Sequence, residues 1–111
     1  MPSLPNGNRA EVDRQKIIGY ALDATHGLGR HKARVFRSVL GIGPENADVL
    51  VQALEESARN ADAALERTDA YGAHYSVEFV LLYDGRSAVL RSLWVVRASE
   101  DFPRLVSVFV K

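Results

Sequence analysis

The stretch that decides the fold is Tyr75-Ser-Val-Glu-Phe-Val-Leu-Leu-Tyr83, then Asp84-Gly85, then Arg86-Ser-Ala-Val-Leu-Arg-Ser-Leu-Trp-Val-Val96. Two runs rich in β-branched and aromatic residues, joined by Asp-Gly, predict a hairpin closed by a type I′ turn, since both turn residues must take positive φ. A two-residue turn sets the register: Tyr83 lies opposite Arg86, and each further pair follows one step outward. Side chains alternate between faces, so one face carries Tyr75, Val77, Phe79 and Leu81 opposite Trp94, Ser92, Leu90 and Ala88. The other carries Ser76, Val80 and Leu82, with Glu78 directly opposite Arg91 at its middle. The first face is the larger and less polar, so it is expected to meet the rest of the chain. The second is then at least partly open.

Working outward, Met1 to Asn8 is dense in turn formers and is expected to lie over the surface without regular structure. Arg9 to Val12 is short enough to add only an edge strand. Asp13 suits the N-cap of a helix to about Ala24, with Ile17, Ile18, Ala21 and Leu22 on its apolar side. Thr25-His-Gly-Leu-Gly29 ends it, and a second helix is expected from about Arg30 to Leu40, burying Ala33, Phe36, Val39 and Leu40. Gly41-Ile-Gly43 stops that helix, and Pro44 suits the first turn of a third. Ala47, Leu50, Val51, Leu54, Ala58, Ala61 and Leu65 recur at helical steps, which extends the third helix to about Arg67. A last strand is expected over Leu105 to Val110. Helices first and strands last define an α+β domain, with three N-terminal helices packed on one face of a 3–4-stranded antiparallel sheet.

The 111 residues suit one domain with a single core, and 47% hydrophobic with 25% charged residues is ordinary for a globular chain. Without cysteine there are no disulfides and no thiolate metal sites. No apolar run reaches the roughly 18 residues needed to span a bilayer, and Met1 to Asn8 does not read as a secretory signal. The expectation is a cytoplasmic protein with no membrane partner. The charge balance is zero overall but uneven: +4 over residues 1–43, −5 over 44–70 and +1 over 71–111. A neutral total gives no long-range pull toward nucleic acid, so any such binding must be local.

Glu78 and Arg91 admit two readings. As structure, an opposed ion pair in a sheet contributes some tenths of a kcal/mol to about 1. As a site, Arg91 offers a planar fork to a phosphate, and a carboxylate beside it can orient it or act as a base. Arg30-His31-Lys32-Ala33-Arg34 is a second cluster, placed at a helix N-terminus where free N–H groups favour anions but cations oppose the dipole. It reads either as a solvated basic face or as an anion-binding one, with His31 the natural acid/base group because its pKa lies near neutrality. His26, His31 and His74 match no zinc spacing. Gly27-Leu-Gly29 and Gly41-Ile-Gly43 lack the strand context of a nucleotide loop, so no metal and no cofactor are expected. Tyr71, beside Gly72, is free to stack on a ligand, and Arg104, after Pro103, would extend the Arg91 surface.

Gly29-Arg-His-Lys-Ala-Arg-Val-Phe36, Tyr71-Gly-Ala-His-Tyr-Ser-Val77, Leu90-Arg-Ser-Leu-Trp-Val-Val96 and Asp101-Phe-Pro-Arg-Leu-Val106 together resemble a small bacterial domain family. Its members stand alone or at the C-termini of phage-associated and polymorphic toxins. In layout they are similar to the barnase, EndoU, colicin and RelE ribonucleases. The resemblance implies metal-independent cleavage of RNA by attack of the ribose 2′-OH on the adjacent phosphate. By the motif match it implies roles for His31, Lys32, Arg91 and Arg104, with Glu78 at an acidic position of the family's pattern. Taken with the residues read above, the expected catalytic set is His31, Lys32, Glu78 and Arg91, and the expected substrate-binding residues are Arg34, Tyr71 and Arg104. It also implies a cognate antitoxin or immunity protein. Ser92 departs from the Thr usual there, and Phe109 from a Tyr. The alternatives are a non-catalytic protein- or nucleic-acid-binding module, or an antitoxin- or immunity-like partner.

Overall fold

The computed structural model describes residues 2–23 and 30–111. Two long strands, β2 (Gly72–Tyr83) and β3 (Arg86–Arg97), form the expected hairpin. Its turn residues Asp84 and Gly85 have φ of 52° and 75°, the positive pair that a type I′ turn demands. Every pair from Gly72↔Arg97 to Tyr83↔Arg86 keeps the register read from the turn. Two shorter strands flank the hairpin, β1 (Ala63–Thr68) beside β2 and β4 (Pro103–Val110) beside β3, in the antiparallel order β1-β2-β3-β4. The result is an α+β fold on a four-stranded antiparallel sheet.

The core lies on the face carrying Val77, Leu81, Leu90 and Trp94, all buried, joined by Leu105 and Val108 from β4. Ser92 is fully buried among them. Its hydroxyl donates to the Val77 carbonyl (3.0 Å) and accepts from Trp94 Nε1 (2.9 Å), so the indole N–H is satisfied inside the core. Helix α2 (Arg30–Leu40) contributes Phe36 and Leu40 to this cluster, and α3 (Ala47–Asn60) contributes Leu50, Leu54 and Ala58. Between the two helices Gly41, at φ 72°, ends α2. Its N–H bonds the Arg37 carbonyl, and the Ile42 N–H bonds the Phe36 carbonyl, a pattern that closes the last turn and needs a left-handed residue. Pro44–Asn46 forms a 3₁₀ turn leading into α3.

Of the three helices expected at the N-terminal side, α2 and α3 pack on the sheet, and the first is short among the described residues. Asp13 does cap a helix, accepting from the N–H groups of Gln15 and Lys16, but α1 (Arg14–Lys16) is a single turn that widens into a π turn over Ile17–Ala21. The stop assigned to Thr25–Gly29, with His26, lies outside the described residues. The third helix ends at Asn60, seven residues before the expected Arg67. Ala61 takes extended backbone, and Ala63–Thr68 becomes β1. Past Ala61 the helical stripe has little left to bury: Leu65 is 57% exposed, and Glu66, Arg67 and Thr68 are polar. Pairing with β2 satisfies the backbone better than another solvated turn would.

The N-terminal segment is tied down along its length. Leu4 is buried, the Ala63 N–H bonds the Pro2 carbonyl, and Gly7–Arg9 forms a 3₁₀ turn. Farther on, Glu11 bridges Arg104 in parallel, giving its N–H to Pro103 and accepting from Leu105. This is the outer-edge contact expected of Arg9 to Val12, reduced to one bridge.

Candidate functional site

Glu78 and Arg91 project from the sheet face opposite the core, because their neighbours in register, Val77 and Ser92, point inward. Across the sheet the row continues: Arg91 lies opposite Phe109 of β4. Lys32 reaches this row from α2, its Nζ 4.8 Å from the centre of the Phe109 ring, a cation held on an aromatic face.

A bulge brings a second carboxylate into the group. Leu65 pairs with Tyr75 and Arg67 with His74, so Glu66 is the extra residue. It accepts a hydrogen bond from the Ser76 hydroxyl and stands 3.4 Å from Arg91 Nη2. Arg91 Nη1 stands 3.7 Å from Glu78, and Lys111 Nζ is 2.8 Å from the same carboxylate. The hydrogen bond from Lys111 chiefly holds the Glu78 carboxyl below the ordinary carboxylate range; desolvation opposes it, and the charges of Lys111 and Arg91 add smaller help. Glu66, Ser76, Glu78 and Arg91, with Asp62, Ala63 and Ala64, line an open depression of about 320 Å³. The arrangement is a guanidinium loosely held between two carboxylates, with an ammonium beside it.

The remaining residues singled out in the sequence lie elsewhere. His31 and Arg34 are exposed on α2 and border a shallow hollow with Val35, Ser38 and Val39; neither lines the Glu78–Arg91 depression. Arg104 shares the sheet face of Arg91 by register, opposite Val95, but its fork is occupied. It makes paired 2.8 Å bonds to Glu100, lies 2.9 Å from Glu11 and stacks over Phe102. Tyr71 is 58% exposed and stacks on His74 at 6.3 Å, with the Arg97 guanidinium 6.0 Å from its ring.

Asp69 organises that end of the sheet. Its Oδ1 accepts from the Tyr71 and Gly72 N–H groups and lies 3.1 Å from His74 Nε2. These contacts, His74 foremost, hold its carboxyl below the ordinary range. The spacing Asp69-Ala-Tyr-Gly-Ala-His74, a turn with Asp at its start, was the signal available for this pair. Glu66 and Lys111 had none: one depends on a bulge, the other on the β3–β4 register. Among the described residues no group of three or more His, Asp or Glu side chains could hold a metal ion, and no helix is long and apolar enough to cross a membrane.

An open antiparallel sheet with helices behind it and a charged row on its free face defines a class of small one-sided α+β domains. Within it, the chain belongs to the family described as Domain of unknown function (DUF6883), whose model matches residues 3–111. The fold is similar to that of a chain in a solved structure described as a contact-dependent growth inhibition toxin–immunity protein complex from Klebsiella pneumoniae 342. The TM-score is 0.72 at 18% identity, over 90% of this chain and 98% of that one. At such identity the likeness is one of fold. No curated protein matches this sequence.

Proposed function

We propose that this chain is a toxin-type endoribonuclease whose open sheet face cleaves RNA without a metal. The observation that carries the reading is Arg91, half-buried on that face between Glu66 and Glu78 with Lys111 alongside. Contacts of 3.4 and 3.7 Å are long for charge-assisted hydrogen bonds, so this fork can turn to a phosphate, whereas that of Arg104 is bound on both sides. The likeness in fold to a toxin–immunity complex supports a role in growth inhibition with a cognate partner protein.

In the proposed reaction Glu78, kept ionised by Lys111 and Arg91, removes the ribose 2′-OH proton. The freed oxygen attacks the adjacent phosphorus, and Arg91 with Lys111 carries the charge that builds on the non-bridging oxygens. Lys32 delivers a proton to the departing 5′-oxygen, leaving a 2′,3′-cyclic phosphate and a 5′-hydroxyl. Arg34 and His31 on α2 meet the RNA backbone away from the scissile bond, and Tyr71 stacks on a base.

Incubating the purified protein with total RNA tests this. Wild type should cut, and Arg91→Ala should lose about 100-fold or more, the usual size of a lost oxyanion donor, with unchanged thermal unfolding. Intact RNA with wild type, or full cleavage by the variant, would remove the site. A second reading, a non-catalytic binding module, draws on the network being charge-balanced: Glu66 and Glu78 against Arg91 and Lys111. It expects RNA to remain uncut by every variant.

A further inference from the structure

The outer edge of β2 is only half covered. β1 pairs with it from Ala73 to Val77, and beyond that point no strand lies beside β2 among the described residues. In a two-residue hairpin the pair flanking the turn, Tyr83↔Arg86, is the hydrogen-bonded one. The odd-numbered residues of β2 therefore spend their backbone groups on β3, while Val80 and Leu82 turn N–H and C=O toward an edge with no strand beside it among the described residues. Their side chains are 61% and 74% exposed. Beside them runs an open groove of about 410 Å³ with Ala53, Ser57 and Ala61 on its α3 side.

Natural sheets protect such an edge with lysine, proline, a bulge or a covering element. Phe79-Val-Leu-Leu-Tyr83 has none of these, and an uncharged, β-prone run on a free edge invites pairing with another chain. The rim of the groove is acidic. Glu56 lines it, Asp62 stands just before β1 begins, and neither has an ion-pair partner among the described residues. A second copy would bring the same acidic rim against itself. A strand with basic ends would not.

We infer that the free edge of β2 over Val80–Leu82 is a docking site for an extended strand of a partner protein, apolar at alternate positions and flanked by Lys or Arg. The strand takes the place that a longer β1 would have filled. Its backbone pairs with Val80 and Leu82, one side of it lies against α3 and its basic ends meet Glu56 and Asp62. RNA cleavage plays no part in this inference.

Amide hydrogen exchange of the full chain tests it. The probe is a ten-residue synthetic peptide of alternating valine and threonine with two lysines at each end. Exchange at Val80 and Leu82 should slow at least tenfold with this peptide, and not with one carrying glutamates at the ends. Val80→Pro removes an N–H that β3 does not use, so it should abolish the effect and leave the hairpin folded. Leu82→Lys, an edge lysine, should do the same if the proline variant unfolds. No slowing with the lysine peptide, or slowing that survives both variants, would overturn the inference. So would slowing in the absence of peptide together with a dimer mass in sedimentation, which would assign the edge to a second copy.

Discussion

Arg91 and Arg104 are two arginines on one sheet face with opposite commitments. Arg104 clamps Glu11 to Glu100 and so fastens the N-terminal segment to β4, whereas Arg91 has only long contacts. Arg104→Ala should lower the melting temperature and Arg91→Ala should leave it nearly unchanged, as thermal unfolding followed by circular dichroism would read. A fall of equal size in both would make Arg91 a structural residue. Inside the core, Ser92→Ala leaves the Trp94 indole N–H with no acceptor, at a cost of about 1–3 kcal/mol. Ser57→Ala, which removes only a donor to the Leu54 carbonyl within the same helix, should cost less; urea unfolding midpoints separate the two. The Glu78–Arg91 pair was legible because one turn sets its register. Glu66 and Lys111 were not: one bulge adds Glu66, and another, between Leu93 and Trp94, shifts the β4 register that delivers Lys111.

The elements follow local rules wherever a stop signal is strong. Gly41 ends α2, Asp84-Gly85 closes the hairpin, and both were readable from residue type. The end of α3 was not, because Ala61 and Leu65 keep the helical step while the backbone has already turned extended. The decision there belongs to β2, which offers partners to Ala63–Thr68. The join between α2 and α3 carries an ion pair, Arg37 with Glu45, in which Arg37 Nη2 donates to Glu45 Oε1 at 2.8 Å. The hydrogen bond from Arg37 lowers the Glu45 carboxyl from 4.5 to about 2. A carboxyl depressed in the folded state stabilises fully above its unfolded value and loses that contribution as pH falls. The contribution should therefore fade from about 4.5 down to about 2. Glu45→Gln should flatten the melting temperature across that window, most visibly at low salt because both side chains are half-exposed. An unaltered slope would show the pair to be idle. Gly7 marks another junction: a Cβ there would meet the Ala58 carbonyl oxygen at 1.9 Å. Gly7→Ala should cost about 1–3 kcal/mol by overpacking, against little for Gly85→Asn, which tolerates positive φ.

For the whole molecule, charge and connectivity divide the chain differently. The segregation of basic and acidic residues visible in the sequence does not become one basic surface. Arg37 is paired with Glu45, Arg14 with Asp48 and Arg9 with Asp101, so much of the excess in residues 1–43 is spent on ties to later segments. The ties of Arg14 to Asp48 and of Arg9 to Asp101 join positions far apart in sequence, which no spacing rule reports. The hairpins of the sheet are local and inexpensive to close, whereas seating residues 2–11 must close the longest loops among the described residues. That segment touches both margins of the sheet, at Ala63 through Pro2 and at Leu105 through Glu11. It should therefore act as a strap that lifts as a unit while the strands stay paired. Amides of Ala63 and Leu105 should then exchange together, well before those of Phe79 and Leu90, and Gly7→Ala should hasten the first two alone. A native state that opens in this order would expose its α3 flank and last strand to a protease or a chaperone without unfolding, giving a cell a handle on the protein's lifetime.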